Sequence, residues 1–266
     1  MTALNAQPAV ITLHEPSVLE RNVSGASPFL LTCDHYGRLI PDALGDLGLP
    51  ESERQRHIAW DIGIAGVAER LSAALGAHLI AQRYSRLVID CNRPPGVASS
   101  IPALSEATAI RGNEGISHAQ AMVRRRAIFE PYHRRIAAAI DRRLAQGRRT
   151  VLVSLHSFTP VYAGVARPWH IGTLYHRSTA LTHHLLNLLH AEGDLVVGDN
   201  EPYAVSDLTD YTIPMHGEAR GLMNSGIEIR QDLIADEAGE AQWARRLTRL
   251  LRDIETTLIT PQSSCA

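Results

Sequence analysis

Along the chain, short apolar runs alternate with longer stretches in which apolar residues recur every three or four positions. The runs are Phe29–Cys33 (FLLTC), Leu87–Asp90 (LVID), Thr150–Leu155 (TVLVSL), Ile171–Tyr175, Leu195–Val197 and Ile227–Ile229. Their length suits strands covered on both faces. The periodic stretches predict helices. Ile62–Leu79 carries Ile64, Val67, Leu71 and Leu75 on one stripe. Ser117–Gln146 is rich in arginine (Arg124, Arg125, Arg126, Arg134, Arg135, Arg142, Arg143) but keeps a stripe through Ile128, Ile136, Ala139 and Ile140. Ser178–Glu192 and Glu237–Leu258 complete the set. After LVID, the sequence Cys91-Asn92-Arg93-Pro94-Pro95-Gly96 forces a loop, because its prolines and glycine continue neither element.

This alternation predicts an α/β fold, a three-layer sandwich around a mixed, largely parallel central sheet. No Pro/Gly/Ser-rich linker divides the 266 residues. Residues 1–27 read as a polar N-terminal arm, and 28–266 as a single α/β domain large enough for a well-buried core. No apolar run reaches the ~18 residues of a membrane-spanning helix. A formal net charge of −2 makes no general case for nucleic acid or a membrane surface. The basic face of the Ser117–Gln146 helix lacks interleaved aromatic residues and reads as solvated. Cys33, Cys91 and Cys265 form neither a CxxC pair nor a disulfide framework. With no secretory-type leader before Ser27, the expected compartment is the reducing cytoplasm. Monomer and small homo-oligomer both remain open.

Sheets of this kind bind ligands just past the carboxyl ends of their strands, and four expected strand ends carry chemistry. They are Cys33-Asp34-His35-Tyr36-Gly37, Asp90-Cys91-Asn92-Arg93, Ser154-Leu155-His156-Ser157 and Glu228-Ile229-Arg230-Gln231-Asp232. A zinc hydrolase needs three protein ligands, an open position for water, a carboxylate to take a proton and a cation for developing charge. Two histidines, a glutamate and an Asn-Arg pair supply these types. Two imidazoles and one carboxylate favour zinc, although Co, Mn or Fe bind the same donors. A serine hydrolase lacks its nucleophile elbow here, and His156 and Ser157, as strand neighbours, point to opposite faces.

The residues resemble the N-formylglutamate amidohydrolase family, related to zinc carboxypeptidases and aspartoacylases. The matching pieces are His35-Tyr36-Gly37 with Pro41, Trp60-Asp61-Ile62-Gly63 and Ser85-Arg86-Leu87-Val88-Ile89-Asp90-Cys91-Asn92-Arg93-Pro94. They continue with Leu155-His156-Ser157-Phe158, Gly198-Asp199-Asn200-Glu201-Pro202-Tyr203 and Ile227 to Leu233, in the family's order from about Phe29 onward. The resemblance implies a fold of the phosphorylase/hydrolase-like, zinc-exopeptidase type. It also implies hydrolysis of the N-formyl or N-acyl amide of an acidic amino acid such as N-formyl-L-glutamate, with a small N-acyl amino acid as partner. It casts His35 and His156 as zinc ligands, Asn92 and Arg93 as holders of a substrate carboxylate, and Glu228 as general base.

Two positions depart from that pattern. The relatives place a glutamate ligand three residues after the first histidine, where this chain has Arg38. Asp61 is therefore the expected third ligand, with Asp34 and Glu114 behind it. Tyr36 stands where a small residue is expected and would narrow the pocket. Each assignment has a plainer rival. His35 and His156 also read as hydrogen-bonded core histidines, Asp61 as the cap of the helix after it, and Asn92 as a turn residue. Arg93 also reads as a partner of Asp90, and Arg86 as either an oxyanion donor or a salt-bridge residue. Glu228 and Arg230 share a strand face and also read as an internal ion pair, with Arg230 otherwise a substrate contact. His216 reads as an oxyanion donor or a loop histidine, and Tyr203 and Asn200 as pocket walls or turn residues. A different zinc-hydrolase specificity (an acyl-aspartate deacylase or a small peptidase) or a non-catalytic binding protein on the same fold stay open beside the main reading.

Overall fold

The computed structural model describes residues 10–259; Cys265 and the first residues of the expected arm lie outside them. Seven strands form one sheet in the spatial order Val18–Arg21, His78–Gln82, Phe29–Cys33, Val151–Phe158, Met223–Arg230, Ile171–Leu174, Val197–Asp199. The four strands from His78–Gln82 to Met223–Arg230 run parallel. Val18–Arg21 pairs antiparallel on one side, and Ile171–Leu174 antiparallel on the other, followed by Val197–Asp199 parallel to it. Val18–Arg21 belongs to the stretch expected as a polar arm, so that stretch contributes an edge strand.

Alternation along the strands sorts the side chains between two cores. Phe29, Leu31, Leu79, Ala81, Val153, Leu155, Ile227 and Ile229 face a layer of helices at Ile64–Leu75, Ala180–Ala191 and Glu237–Ile254. Leu30, Ile80 and Leu152 face the opposite layer, formed by the Glu130–Ala145 helix and the irregular segment around residues 84–91. These are the three layers expected. Among the described residues, no helix is long and apolar enough to cross a membrane.

Two expected elements differ. The first helix ends at Leu75, because Gly76 adopts a left-handed φ of 60° and donates its N–H back to Ala73. The apolar residues after it form the parallel strand His78–Gln82. Leu87–Asp90, expected as a strand, is a buried series of turns instead. Its backbone groups find irregular partners: Leu87 O accepts from Asn113 (2.8 Å), Val88 O from Arg124 (3.0 Å), and Asp90 N–H donates to Ser100 O (2.8 Å).

The long basic helix runs as His118–Arg124, a π-helical turn at Arg125–Phe129, and Glu130–Ala145. Ser117 and Gln120 form a capping box at its start. Two of its arginines are not solvated. Arg124 is fully buried and also bonds Asn113 and Gly112, whereas Arg143 caps the carbonyls of Ser27, Pro28 and Phe29.

The same helix carries His133, whose ring stacks on His216 with centroids 5.2 Å apart. His133 Nε2 donates to Cys91 O (2.8 Å), so its Nδ1 accepts, and His216 Nε2 must be the donor across the 3.0 Å contact. Both rings are then neutral. Burial, reinforced by His216, lowers the His133 pKa to about 3, and burial lowers that of His216 to about 4. An unfolded chain takes up these protons below about pH 6.5; the folded chain does not until pH 4 or lower. The pair's stabilisation is therefore complete above about pH 6.5 and is lost as the pH falls from there toward 4. Between pH 7.5 and 5.0, the parent should lose about 1–2 kcal/mol more unfolding free energy in urea titrations than His133→Gln, which keeps an amide donor for Cys91 O. Equal losses would show that the pair titrates normally.

Candidate active site

Beyond Leu152, the second face of the central strands turns polar. Ser154 and His156 follow on one strand, and Gly226 and Glu228 stand beside them in register on the next. Together with His35, Asp61, Arg86, Asn92, Arg93 and Tyr203, they line a cavity of about 290 Å³ at the carboxyl ends of the strands. Eight of the ten expected site residues thus converge.

Asp61 lies at the centre. One of its oxygens, Oδ2, is 3.3 Å from His35 Nδ1 and 2.9 Å from His156 Nδ1, and it also accepts the Ser157 N–H (3.2 Å). It does not cap the following helix; Gly63, with φ 78°, occupies that position without a side-chain bond. A side chain at Gly63 would strike Ile234 O, its Cβ lying 2.0 Å away, which keeps the turn after Asp61 tight. The chain reaches Asp61 beside His35 because the Asp61 N–H donates to His35 O (3.0 Å).

The far nitrogens of both imidazoles are held by two more buried carboxylates. His35 Nε2 donates to Asp90 Oδ1 (2.8 Å), and His156 Nε2 lies 3.1 Å from Asp34 Oδ2. Ser154 and Thr212 also bond Asp34, and Arg86 grips Asp90 through Nε (3.0 Å) and Nη2 (2.6 Å). Burial opposes charge on Asp34, Asp61 and Asp90, yet the adjacent histidines, and for Asp90 Arg86 first, hold all three carboxyl pKa values below the usual range. Burial likewise opposes charge on the histidines. Asp90 and Asp61 nonetheless raise His35, and Asp34 and Asp61 raise His156.

One donor atom from each of His35, Asp61 and His156 lies within 4.8 Å of the others. The donor set fits a divalent cation. Both Nδ1 atoms face the same carboxylate, and both Nε2–H groups are fixed by carboxylates, an arrangement that orients metal-binding imidazoles. A divalent cation replacing the two Nδ1 protons would leave the cluster's net charge unchanged.

Glu228 is the remaining acid. It is 6% exposed, and its Oε2 has no hydrogen-bond partner among the described residues. Burial pushes its pKa up to about 7, with His156 pulling down and Asp61 pushing up. It does not pair with Arg230, which turns away to Asp232 (2.8 Å) and lies outside the cavity lining. His216 is outside it too, stacked on His133. Asn92 lines the cavity and ties its loop together: one Nδ2 hydrogen goes to Asp210, and Oδ1 accepts from the N–H groups of Tyr211 and Thr212. Arg93 bonds the carbonyls of Asn92 and Thr209 through Nη1. Tyr203 accepts a hydrogen bond from Arg167 (2.9 Å).

Tyr36 does not narrow this cavity. It packs against the first core and donates to Glu69 (2.9 Å). Arg38 is also outside the cavity lining, paired with Glu51 and over the Trp60 ring, and Glu114 is exposed at a loop. Asp34, expected only as an alternative third ligand, and Asp90, expected only as a partner of Arg93, instead hold the far nitrogens of the two imidazoles. The roles of Ser154, Asp210 and Thr212 carried no sequence signal.

The sequence model for N-formylglutamate amidohydrolase matches residues 27–235. An N-formylglutamate deformylase of Pseudomonas putida is 30% identical over 143 residues, which is 50% of this chain and 52% of that protein, so the match spans about half of each. The crystal structure of a gene product of Agrobacterium tumefaciens superposes with a TM-score of 0.86 at 40% identity, covering 91% of this chain and 97% of the other. An N-formylglutamate amidohydrolase of Ralstonia eutropha shares the fold with a TM-score of 0.67 at 20% identity, over 91% and 98% of the two chains. With the fold, the strand-end cluster and the matched span in agreement, this chain belongs to the N-formylglutamate amidohydrolase family.

Proposed function

We propose that the chain is a metal-assisted amidohydrolase that removes a formyl or other acyl group from an N-acylated amino acid. The observation that carries this reading is the buried carboxylate oxygen of Glu228, without a partner among the described residues, in the same cavity as three convergent metal-type donors. The names of the relatives make N-formyl-L-glutamate the first substrate to assay.

His35, Asp61 and His156 would hold the cation, with zinc the expected metal. Bound there, it supplies Lewis-acid polarisation of the scissile carbonyl and acidifies water toward neutrality. Glu228 accepts the proton of the attacking water and then gives it to the amide nitrogen as the C–N bond breaks. Its buried setting suits both directions of transfer. Arg86, anchored on Asp90, presents positive charge to the oxygen on which negative charge builds. Arg93 binds the carboxylate of the amino-acid part. The products are formate, or another carboxylate, and the free amino acid.

Purified protein should contain about one equivalent of divalent metal by elemental analysis, and His156→Ala should contain little. A parent that neither carries metal nor takes up added zinc would overturn the metal reading. Glu228→Gln should retain the metal while lowering kcat about 10²–10⁴-fold, as expected for loss of a general acid–base group. A kcat within a factor of a few of the parent would assign the proton transfer to another group.

A further inference from the structure

We infer that Arg167, which stands outside the cavity lining, is a positioning residue for substrate binding: it holds Tyr203 in the cavity wall with the hydroxyl proton of that tyrosine free for the substrate. This rests on the reading of the cavity as an amidohydrolase site and adds to it the means by which one wall is held.

Arg167 closes a short hairpin beyond the central sheet. Val161–Tyr162 pairs antiparallel with Val165–Ala166, and the Arg167 N–H donates to Pro160 O (2.8 Å) across its base. Arg230 fastens that base to the strand that carries Glu228, because its Nη1 donates to Arg167 O (3.4 Å) and Pro168 O (3.3 Å). The chain has only three Phe, three Trp and seven Tyr. One Phe and two Tyr nevertheless surround this one guanidinium. Its Cζ lies 4.7 Å from the ring centre of Tyr162, 4.8 Å from that of Tyr203 and 5.9 Å from that of Phe158. At such distances the positive charge is attracted to the ring faces. Phe158 is buried at the end of a central strand, whereas Tyr162 and Tyr203 are exposed. Arg167 thus ties a fixed point of the sheet to a tyrosine with few other restraints.

Tyr203 lies in the irregular stretch between Val197–Asp199 and Ile213–Gly217, and its side chain lines the cavity. Among the described residues its hydroxyl has one hydrogen-bond partner, Arg167 Nη1 (2.9 Å). A guanidinium has no acceptor, so the direction of this bond is fixed: the phenol oxygen accepts, and its own proton points elsewhere. That proton does not reach Glu228, whose Oε2 is without a partner among the described residues. Burial, and after it the charge of Glu228, raises the Tyr203 pKa above its usual value, so the proton is present at neutral pH. A hydroxyl whose oxygen accepts from a cation is polarised and donates more strongly. An N-acyl amino acid brings carboxylate and acyl oxygens into the cavity, and these are acceptors. Arg167 acts on them through Tyr203, at one remove.

The test uses metal-loaded protein with N-formyl-L-glutamate, N-formyl-L-aspartate, N-formylglycine and N-formyl-L-leucine, and compares variants on the substrate that the parent turns over fastest. Arg167→Met keeps the stem but neither charge nor donor. It should raise KM about tenfold, as for loss of one hydrogen bond to the substrate, with kcat and metal content within about twofold of the parent. A contact made alike before and during the reaction shows in KM and not in kcat. Arg167→Lys, which restores a charged donor, should recover most of the loss. Tyr203→Phe should raise KM about as much as Arg167→Met, and combining the two should add less than about twofold, because they act as one unit. An unchanged KM in Arg167→Met, a loss in kcat alone, no recovery in Arg167→Lys or additive losses in the double variant would each overturn the inference and leave the amidohydrolase reading standing. Turnover of none of the four substrates by the metal-loaded parent would overturn that reading, and this inference with it.

Discussion

The candidate site depends on one oxygen atom. Oδ2 of Asp61 meets the Nδ1 of His35, the Nδ1 of His156 and the Ser157 N–H. These groups come from the end of one central strand and the interior of the next, and Asp61 comes from the loop that precedes a helix. A buried carboxylate with so many donors has little freedom to move. The surrounding charges form a closed set: Asp34 and Asp90 each face a histidine, and Arg86 faces Asp90 and Asp61. Removing one partner leaves a charge buried without compensation, which costs more than the pair contributes. The cluster is therefore positioned as a unit.

The two sides of the cavity are built by different means. The polar side is assembled from loops whose geometry is held by backbone bonds to Asn92 and by Arg124 at the far end of the 87–113 segment. The apolar side is assembled from the sheet and from the turn at Ile213–Gly217.

The placement of His35, His156 and Glu228 was legible because each follows an apolar run, and strand ends in a parallel sheet share one edge. Asp61 was legible only as one of two alternatives, since an aspartate just before a helix serves equally well as its cap. The missed strand His78–Gln82 shows where periodicity fails. Leu79, Ile80 and Ala81 are all buried, so a fully covered strand and the last turn of a buried helix share one pattern. Gly76 was the available signal, because a glycine after the last periodic residue marks a helix end. Leu87–Asp90 was misread for the same reason: it is buried on all sides, but by loops that satisfy its backbone groups. His216 and Arg230 were assigned to the site from their neighbours in sequence, and their side chains proved to be committed to His133 and Asp232, which lie far from them or beside them in sequence without any pattern to reveal it.

Glu228 and His156 are adjacent in the register between their two strands, and their sequence neighbours Ile227, Ile229 and Leu155 lie in the helix-covered core. Toward the C-terminal end of each eight-residue strand, one face therefore answers to packing and the other, through Ser154, His156, Gly226 and Glu228, lines the cavity. A slip of one residue would exchange the two sets, seating hydrocarbon beside the donors and acid among the leucines. The packing that fixes the strand register therefore also fixes which side chains reach the cavity.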